Sequence, residues 1–291
     1  MTMTVSPKSA ARMACRAAGL ADRSLTQLHQ HATSVFLVPD EGAVVRVSPA
    51  SQQERLEIAV SLTRWLVGNS FLATEPLAVP QPVTYAPYVV TFWRHYPQPE
   101  GAAPPVRQLG ELLRALHDLP SPPIDLPRHL PLASLKSTVD SSTYLDSSRR
   151  AWLAGRREEL LEAYASLEFP LGHGHIHGDA YPGNTLWANQ GVRLGDWDEA
   201  ATGPREIDLA NTYQGVRFGR TKEELDEFGS AYGYDIREWP GLRVLSEIRD
   251  LHTLGSFIRR ADRGDAAAAK QLSYRIETLK SRDDRARWKA A

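Results

Sequence analysis

The sequence predicts an α+β protein in two parts, an antiparallel sheet with a crossover helix followed by a mostly helical region. Three observations carry that expectation. Short segments rich in leucine and β-branched residues, separated by polar turns, fill the first third of the chain. One stretch among them has helical spacing of its apolar residues. Beyond a Pro-rich run from Pro97 to Pro105 that spacing dominates almost to the end.

In chain order, after a helix-like opening, Leu25–Gln30, Ser34–Val38 and Ala43–Val47 read as strands of a meander, with Pro39-Asp40-Glu41-Gly42 as one of its turns. From Gln52 to Gly68, Leu56, Ala59, Val60, Thr63, Leu66 and Val67 recur at spacings of three and four, which puts them on one helical face. Gln81–Tyr85 and Tyr88–Phe92 read as two further strands. The Pro-rich run that follows marks the boundary between a lobe at 1–95 and a lobe at 96–291. In the second lobe, Arg107–Leu119 places Leu109, Leu112, Leu113 and Leu116 on one face and stops at Pro120. Helices are also expected at Ser147–Leu167, Glu206–Val216, Lys222–Ala231, Arg243–Ala261 and Ala266–Leu279, around a strand-and-loop region at Gly174–Trp197.

At 291 residues the chain can bury a substantial core without covalent staples, and its single cysteine, Cys15, excludes an internal disulfide framework. With 34 basic and 35 acidic residues the net charge is -1, which argues against nucleic acid as a partner and for a small molecule. Met1 to Leu20 lacks the apolar run of a secretory signal, and no stretch approaches the ~20 apolar residues of a membrane span. The expectation is a soluble cytoplasmic protein, monomer or homodimer.

Chemistry concentrates in His177-Gly178-Asp179-Ala180-Tyr181-Pro182-Gly183-Asn184, followed by Thr185-Leu186-Trp187, a turn at 188–191, and Val192-Arg193-Leu194-Gly195-Asp196. A hairpin brings its two ends together, so Asn184 at its entrance and Asp196 at its exit approach one another although twelve positions separate them. An amide oxygen and a carboxylate form a hard, oxygen-only set that suits Mg²⁺, with phosphate oxygens and water filling the remaining positions. Asp179 is then left for an acceptor hydroxyl.

The spacing His-Gly-Asp-x-x-x-x-Asn followed by Gly195-Asp196-Trp197-Asp198 resembles the catalytic and metal loops of the aminoglycoside phosphotransferases and related small-molecule kinases. Gly203-Pro204-Arg205-Glu206-Ile207-Asp208-Leu209-Ala210 and Leu109-Gly110-Glu111-Leu112-Leu113-Arg114-Ala115-Leu116-His117 add to the resemblance, which spans nearly the whole chain in the family's order. It implies a two-lobed protein kinase-like fold, with a nucleotide-binding first lobe and a catalytic, substrate-binding second one. The implied activity moves the γ-phosphate of ATP, with Mg²⁺, to a hydroxyl of an aminoglycoside, sugar or amino alcohol, and antibiotic resistance is one role that would fit. By resemblance Asp179 is the catalytic base, Asn184 and Asp196 bind metal, Asp208 braces the catalytic loop through its backbone, and His177 is structural.

Two departures refine this picture. No Gly-x-Gly-x-x-Gly accompanies the first strands, so phosphate contacts at His31-Ala32-Thr33-Ser34 are expected from backbone N–H groups and hydroxyls such as that of Ser34. No lysine occurs between Lys8 and Lys136, and the strand position that carries the family's phosphate-binding lysine holds Arg46. Arginine can meet phosphate oxygens with two parallel hydrogen bonds. Glu57 on the crossover helix is its expected orienting partner, with Glu54 second. Adenine is expected against Thr91-Phe92-Trp93-Arg94, where the chain leaves the sheet. Asp198, Glu199, Glu206, Glu247 and Asp250 could present carboxylates to a cationic acceptor.

Two other readings compete. His173, His175, His177 and Asp179 alternate, as a zinc hydrolase could use, but position 180 is alanine and the hairpin has no role there. A kinase-like nucleotide-binding protein with a regulatory role would accommodate the arginine at 46, against the intact Asp179, Asn184 and Asp196.

Overall fold

A computed structural model describes residues 5–22, 24–30, 33–101 and 103–289. His31 and Ala32 of the expected phosphate-facing turn, and Met1 to Thr4 at the start, lie outside the described residues. The chain divides into two compact units, Met1–Pro105 with Asp118–Pro127 and Pro182–Ala200, and Val106–His117 with Arg128–Tyr181 and Ala201–Ala291.

The first unit begins with helix α1 (Pro7–Ala17), started by the Ser6 hydroxyl, which accepts from the Ser9 N–H, and by a proline at its first position. Strands β1 (Thr26–Gln30), β2 (Ser34–Val38) and β3 (Ala43–Pro49) follow, then α2 (Gln53–Gly68), β4 (Val83–Tyr85) and β5 (Tyr88–Arg94). The sheet order is β1-β2-β3-β5-β4, and all neighbours are antiparallel. Alternation along β3 sorts its side chains onto two faces. Ala43, Val45 and Val47 join Phe36, Val90 and Phe92 in a core that Ala10, Ala11, Ala14 and Cys15 of α1 complete. Small residues on α1 let it lie close to the sheet, and burial pushes the Cys15 thiol up to about 11, which makes it an inert filler. On the opposite face β3 presents Val44 and Arg46, in register with Trp93 and Thr91 of β5.

The chain continues into the second unit with α3 (Val106–Asp118), α4 (Ala133–Ser141), α5 (Ser147–Ala165) and β6 (His173–Ile176). It returns to the first unit for the hairpin β7 (Thr185–Ala188) and β8 (Gly191–Leu194). The second unit then takes β9 (Ala201–Pro204), which pairs with β6, and α6 (Glu206–Gln214), α7 (Lys222–Tyr232), α8 (Gly241–Asp262) and α9 (Ala266–Lys280). Its core gathers around α8, where Leu245, Leu251, Leu254 and Ile258 meet Leu135, Leu153, Leu272 and Ile276. No helix among the described residues is long and apolar enough to cross a membrane.

The expected antiparallel sheet, crossover helix and helical second part are all present. Two elements had no sequence signal: α4 buries only Leu135, Thr138 and Val139, and β9 is the tetrapeptide Ala-Thr-Gly-Pro. Both are held by tertiary contacts and too short to show a period.

Candidate active site

In the first unit the β7–β8 ladder runs from Ala188 opposite Gly191 to Thr185 opposite Leu194. It ends where the Gly195 N–H donates to the Asn184 carbonyl at 2.8 Å. Asn184 and Asp196 therefore flank the open end of one hairpin. The segment 72–74 zips along β8, with Leu194 N donating to Leu72 O at 2.8 Å and Thr74 N to Leu194 O at 2.9 Å. Gly195 is needed at this closure, because a Cβ there would stand 2.9 Å from Thr74 Cγ2.

Beyond Gly195 the chain turns sharply. Asp196 takes the left-handed conformation at φ 61, which aspartate tolerates better than most residues. Trp197 is driven inward, its Nε1 donating to Leu194 O at 2.9 Å and its ring meeting Phe71 edge-on at 5.9 Å. With Trp197 anchored, Asp196 and Asp198 turn to the sheet face that carries Arg46. Arg46 Nη1 donates to Asp196 Oδ1 and Asp198 Oδ1, both at 3.0 Å, and Nη2 donates to Asp198 Oδ2 at 2.6 Å. Burial alone would lower the Arg46 pKa, but the carboxylates of Asp198 and Asp196 outweigh it and raise it, so the guanidinium stays charged. Burial likewise pushes the Asp198 carboxyl up, against the pull of Arg46.

A cavity of about 560 Å³ opens at this point, lined among others by Val44, Arg46, Trp93, Asn184, Asp196 and Asp198. Its size falls within the roughly 300–1,000 Å³ usual for small-molecule sites. The donors it offers are an amide and carboxylates, an oxygen-only set with few protein ligands. That set fits Mg²⁺, which keeps several waters and phosphate oxygens around it. Among the described residues no group of three His, Cys, Asp or Glu could hold a metal ion by itself.

The other residues expected at a nucleotide site are placed differently. Thr91 is fully buried and accepts from Trp93 Nε1 at 2.9 Å, so it supports the Trp93 ring. Phe92 faces the α1 side of the sheet, and its backbone N–H is engaged by Gln81 Oε1 at 2.7 Å. Arg94 N donates to Glu75 O, which leaves Tyr96 and Gln98, just past the strand, on the cavity wall. Ser34 is buried at the start of β2, while its neighbours Thr33 and Val35 line the cavity.

The expected pairing of Arg46 with Glu57 is not formed. Leu56, Ala59 and Val60 take the buried face of α2, and Glu57 lies on the exposed one, accepting from Gln53 Nε2 at 2.9 Å. Helix α2 reaches the loop by another route, an ion pair between Arg55 and Glu199. The acidic patch for a cationic acceptor is also absent as drawn. Asp198 holds Arg46 and Glu199 holds Arg55, while Glu206 accepts from the Leu171 N–H at 2.6 Å. Glu247 pairs with Arg156 and Arg243, and Asp250 with Arg217.

In the second unit Asp208, wholly buried at the start of α6, organises the loop that carries Asp179. Its two oxygens accept from the backbone N–H groups of His177 and Gly178, both at 2.8 Å, and His117 Nε2 lies 3.1 Å from Oδ2. Burial alone would raise the Asp208 pKa, but the hydrogen bond and charge of His117, with the loop's N–H groups, hold it below the usual carboxylate value. Gly178 sits at φ 81, a conformation that glycine adopts without strain, and from there the chain delivers Asp179. The Asp179 carboxylate is ion-paired with Arg249 of α8, a partner with no sequence signal.

The zinc arrangement does not form. The His175 ring nitrogen Nε2 bonds to Leu116 O at 2.8 Å, and His177 Nδ1 accepts from the Asp179 N–H at 3.3 Å. The His177 ring is a structural member of the loop and the His175 ring one of strand β6, where burial lowers its pKa.

Residues 24–245 match the phosphotransferase enzyme family. The chain belongs to that family. This phosphotransferase shares its kinase-like fold with an amicoumacin kinase, whose structure holds AMP-PNP and Ca²⁺, at TM-score 0.73 and 14% identity over 99% of this chain and 98% of that one. It also matches a choline/ethanolamine kinase family protein from Mesorhizobium loti, at TM-score 0.65 and 17% identity over 96% and 97% of the two chains. An aminoglycoside phosphotransferase from Streptomyces rimosus aligns at TM-score 0.60 and 18% identity over 81% and 95%. No curated protein sequence matches the phosphotransferase significantly.

Proposed function

We propose that this phosphotransferase moves the γ-phosphoryl group of ATP to a hydroxyl of a small molecule. The observation that carries the reading is the cavity in which Arg46, Asn184 and Asp196 meet, because it gathers a cation for phosphate oxygens and an oxygen-only metal set. In this reading the first unit binds the nucleotide and the second supplies the catalytic loop. Asn184 and Asp196 hold Mg²⁺, which when bound neutralises charge on the phosphate oxygens. Arg46 donates to the phosphates, the Trp93 ring and the chain at Tyr96 to Gln98 flank the base, and the Asp179 carboxylate accepts the proton of the acceptor hydroxyl.

Asp208 and Arg249 fix where Asp179 stands, the one through the loop backbone and the other through its side chain. Catalysis is then mainly positioning and charge stabilisation. The acceptor class is open to aminoglycosides, sugars and amino alcohols, since the catalytic loop reports the chemistry and not the acceptor.

The test is an ATP-consumption screen over those three acceptor classes, with Mg²⁺ and with a chelator, and mass spectrometry of the products. The expected result is a phosphorylated acceptor whose formation stops with the chelator. ATP-independent turnover of any of these compounds would contradict the proposal.

A further inference from the structure

The strand cation of this protein is an arginine, and a planar fork is useful only when its plane is fixed. The geometry points to Asp198 as the positioning residue for Arg46, an inference that rests on the proposed function of the cavity. Asp198 and Asp196 both touch the guanidinium, but in different ways. Asp198 accepts from Nη1 and Nη2 with one oxygen each, at 3.0 and 2.6 Å, so it meets the fork edge-on. Asp196 takes a single bond from Nη1. Their exposures separate the roles as well, with the Asp198 side chain at 17% and that of Asp196 at 46%. The more buried carboxylate clamps the arginine, and the more open one faces the cavity.

Three of the five guanidinium N–H groups are thereby engaged by carboxylates, which among the described residues leaves Nε–H and one Nη2–H for phosphate oxygens. The clamp is itself held in place. Trp197 is buried beside it, and Glu199, the next residue after Asp198, is tied to Arg55 of α2. The orienting carboxylate thus comes from the loop two residues past Asp196 rather than from the crossover helix, where Glu57 is exposed.

The alternative role for Asp198 is that of a metal ligand, and a double-mutant cycle on binding separates the two. Mg·ATP is titrated calorimetrically into wild type, Arg46→Met, Asp198→Ala and the double variant, with thermal melts of the nucleotide-free proteins as a check on folding. A positioning role makes Asp198→Ala weaken Mg·ATP about tenfold in wild type and leave it within about twofold in the Arg46→Met background. Equal losses in both backgrounds, or none in wild type, overturn the inference. If Asp198→Ala melts below the assay temperature, Asp198→Asn gives the same comparison, since an amide cannot accept both bonds of the fork. Wild type that binds no Mg·ATP overturns the proposed function together with this inference, whereas binding without coupling overturns the inference alone.

Discussion

Asp208 satisfies two backbone N–H groups and a histidine with one buried carboxylate, and few single side chains have as much to lose. Asp208→Asn turns half of that acceptor into a donor facing donors. It should lower the urea unfolding free energy by about 3 kcal/mol, with a matching loss of turnover. The pH dependence has a defined sign. The folded pKa lies below the ordinary 3.8, so the stability that Asp208 contributes is complete well above that value and is lost as pH falls through the folded one. Unfolding midpoints measured from pH 6 downward should therefore show a shallower acid limb in Asp208→Asn than in wild type. At this scale the spacing from His177 to Asp196 was legible because a loop and a hairpin are local structures. The partners of Arg46 were not, since Asp196 and Asp198 stand about 150 positions away and nothing local marks them.

Among the elements, the β7–β8 hairpin depends on one close approach. Gly195→Ala would drive a methyl group into Thr74 Cγ2, at an expected cost of about 1–3 kcal/mol, and would weaken Mg·ATP binding by displacing Asp196 from Asn184. Thr74→Ser removes that methyl, so the double variant should regain most of both losses in melts and titrations. Helix α7 offers a control remote in sequence from the hairpin. Its capping box pairs the Thr221 hydroxyl with Glu224 N at 3.2 Å and Glu224 Oε2 with Thr221 N at 2.8 Å. Thr221→Ala should cost about 1 kcal/mol of stability and leave nucleotide affinity unchanged. Long elements with clear periods, such as α2, α3 and α8, could be read from the sequence to within a residue or two at most ends. Helix α4 could not, because about two and a half turns with only three buried residues carry too little pattern.

For the whole molecule, family membership gives the class of reaction, and the engagement of Asp198, Glu199, Glu206, Glu247 and Asp250 by arginine side chains or backbone weakens the simplest argument for a polycationic acceptor. Their charges were visible in the sequence, but their arginine and backbone partners were not. Binding to the folded state alone should stabilise the protein by about 2.7 kcal/mol at a hundred times Kd. Mg·ATP should therefore raise the melting temperature by several degrees, and the shift should shrink when the ion is chelated. The most direct test of the central claim compares turnover with binding in Asp179→Asn. A fall in kcat of at least ~100-fold, with Mg·ATP affinity unchanged, is the expected result. Turnover at the wild-type rate in that variant would contradict it.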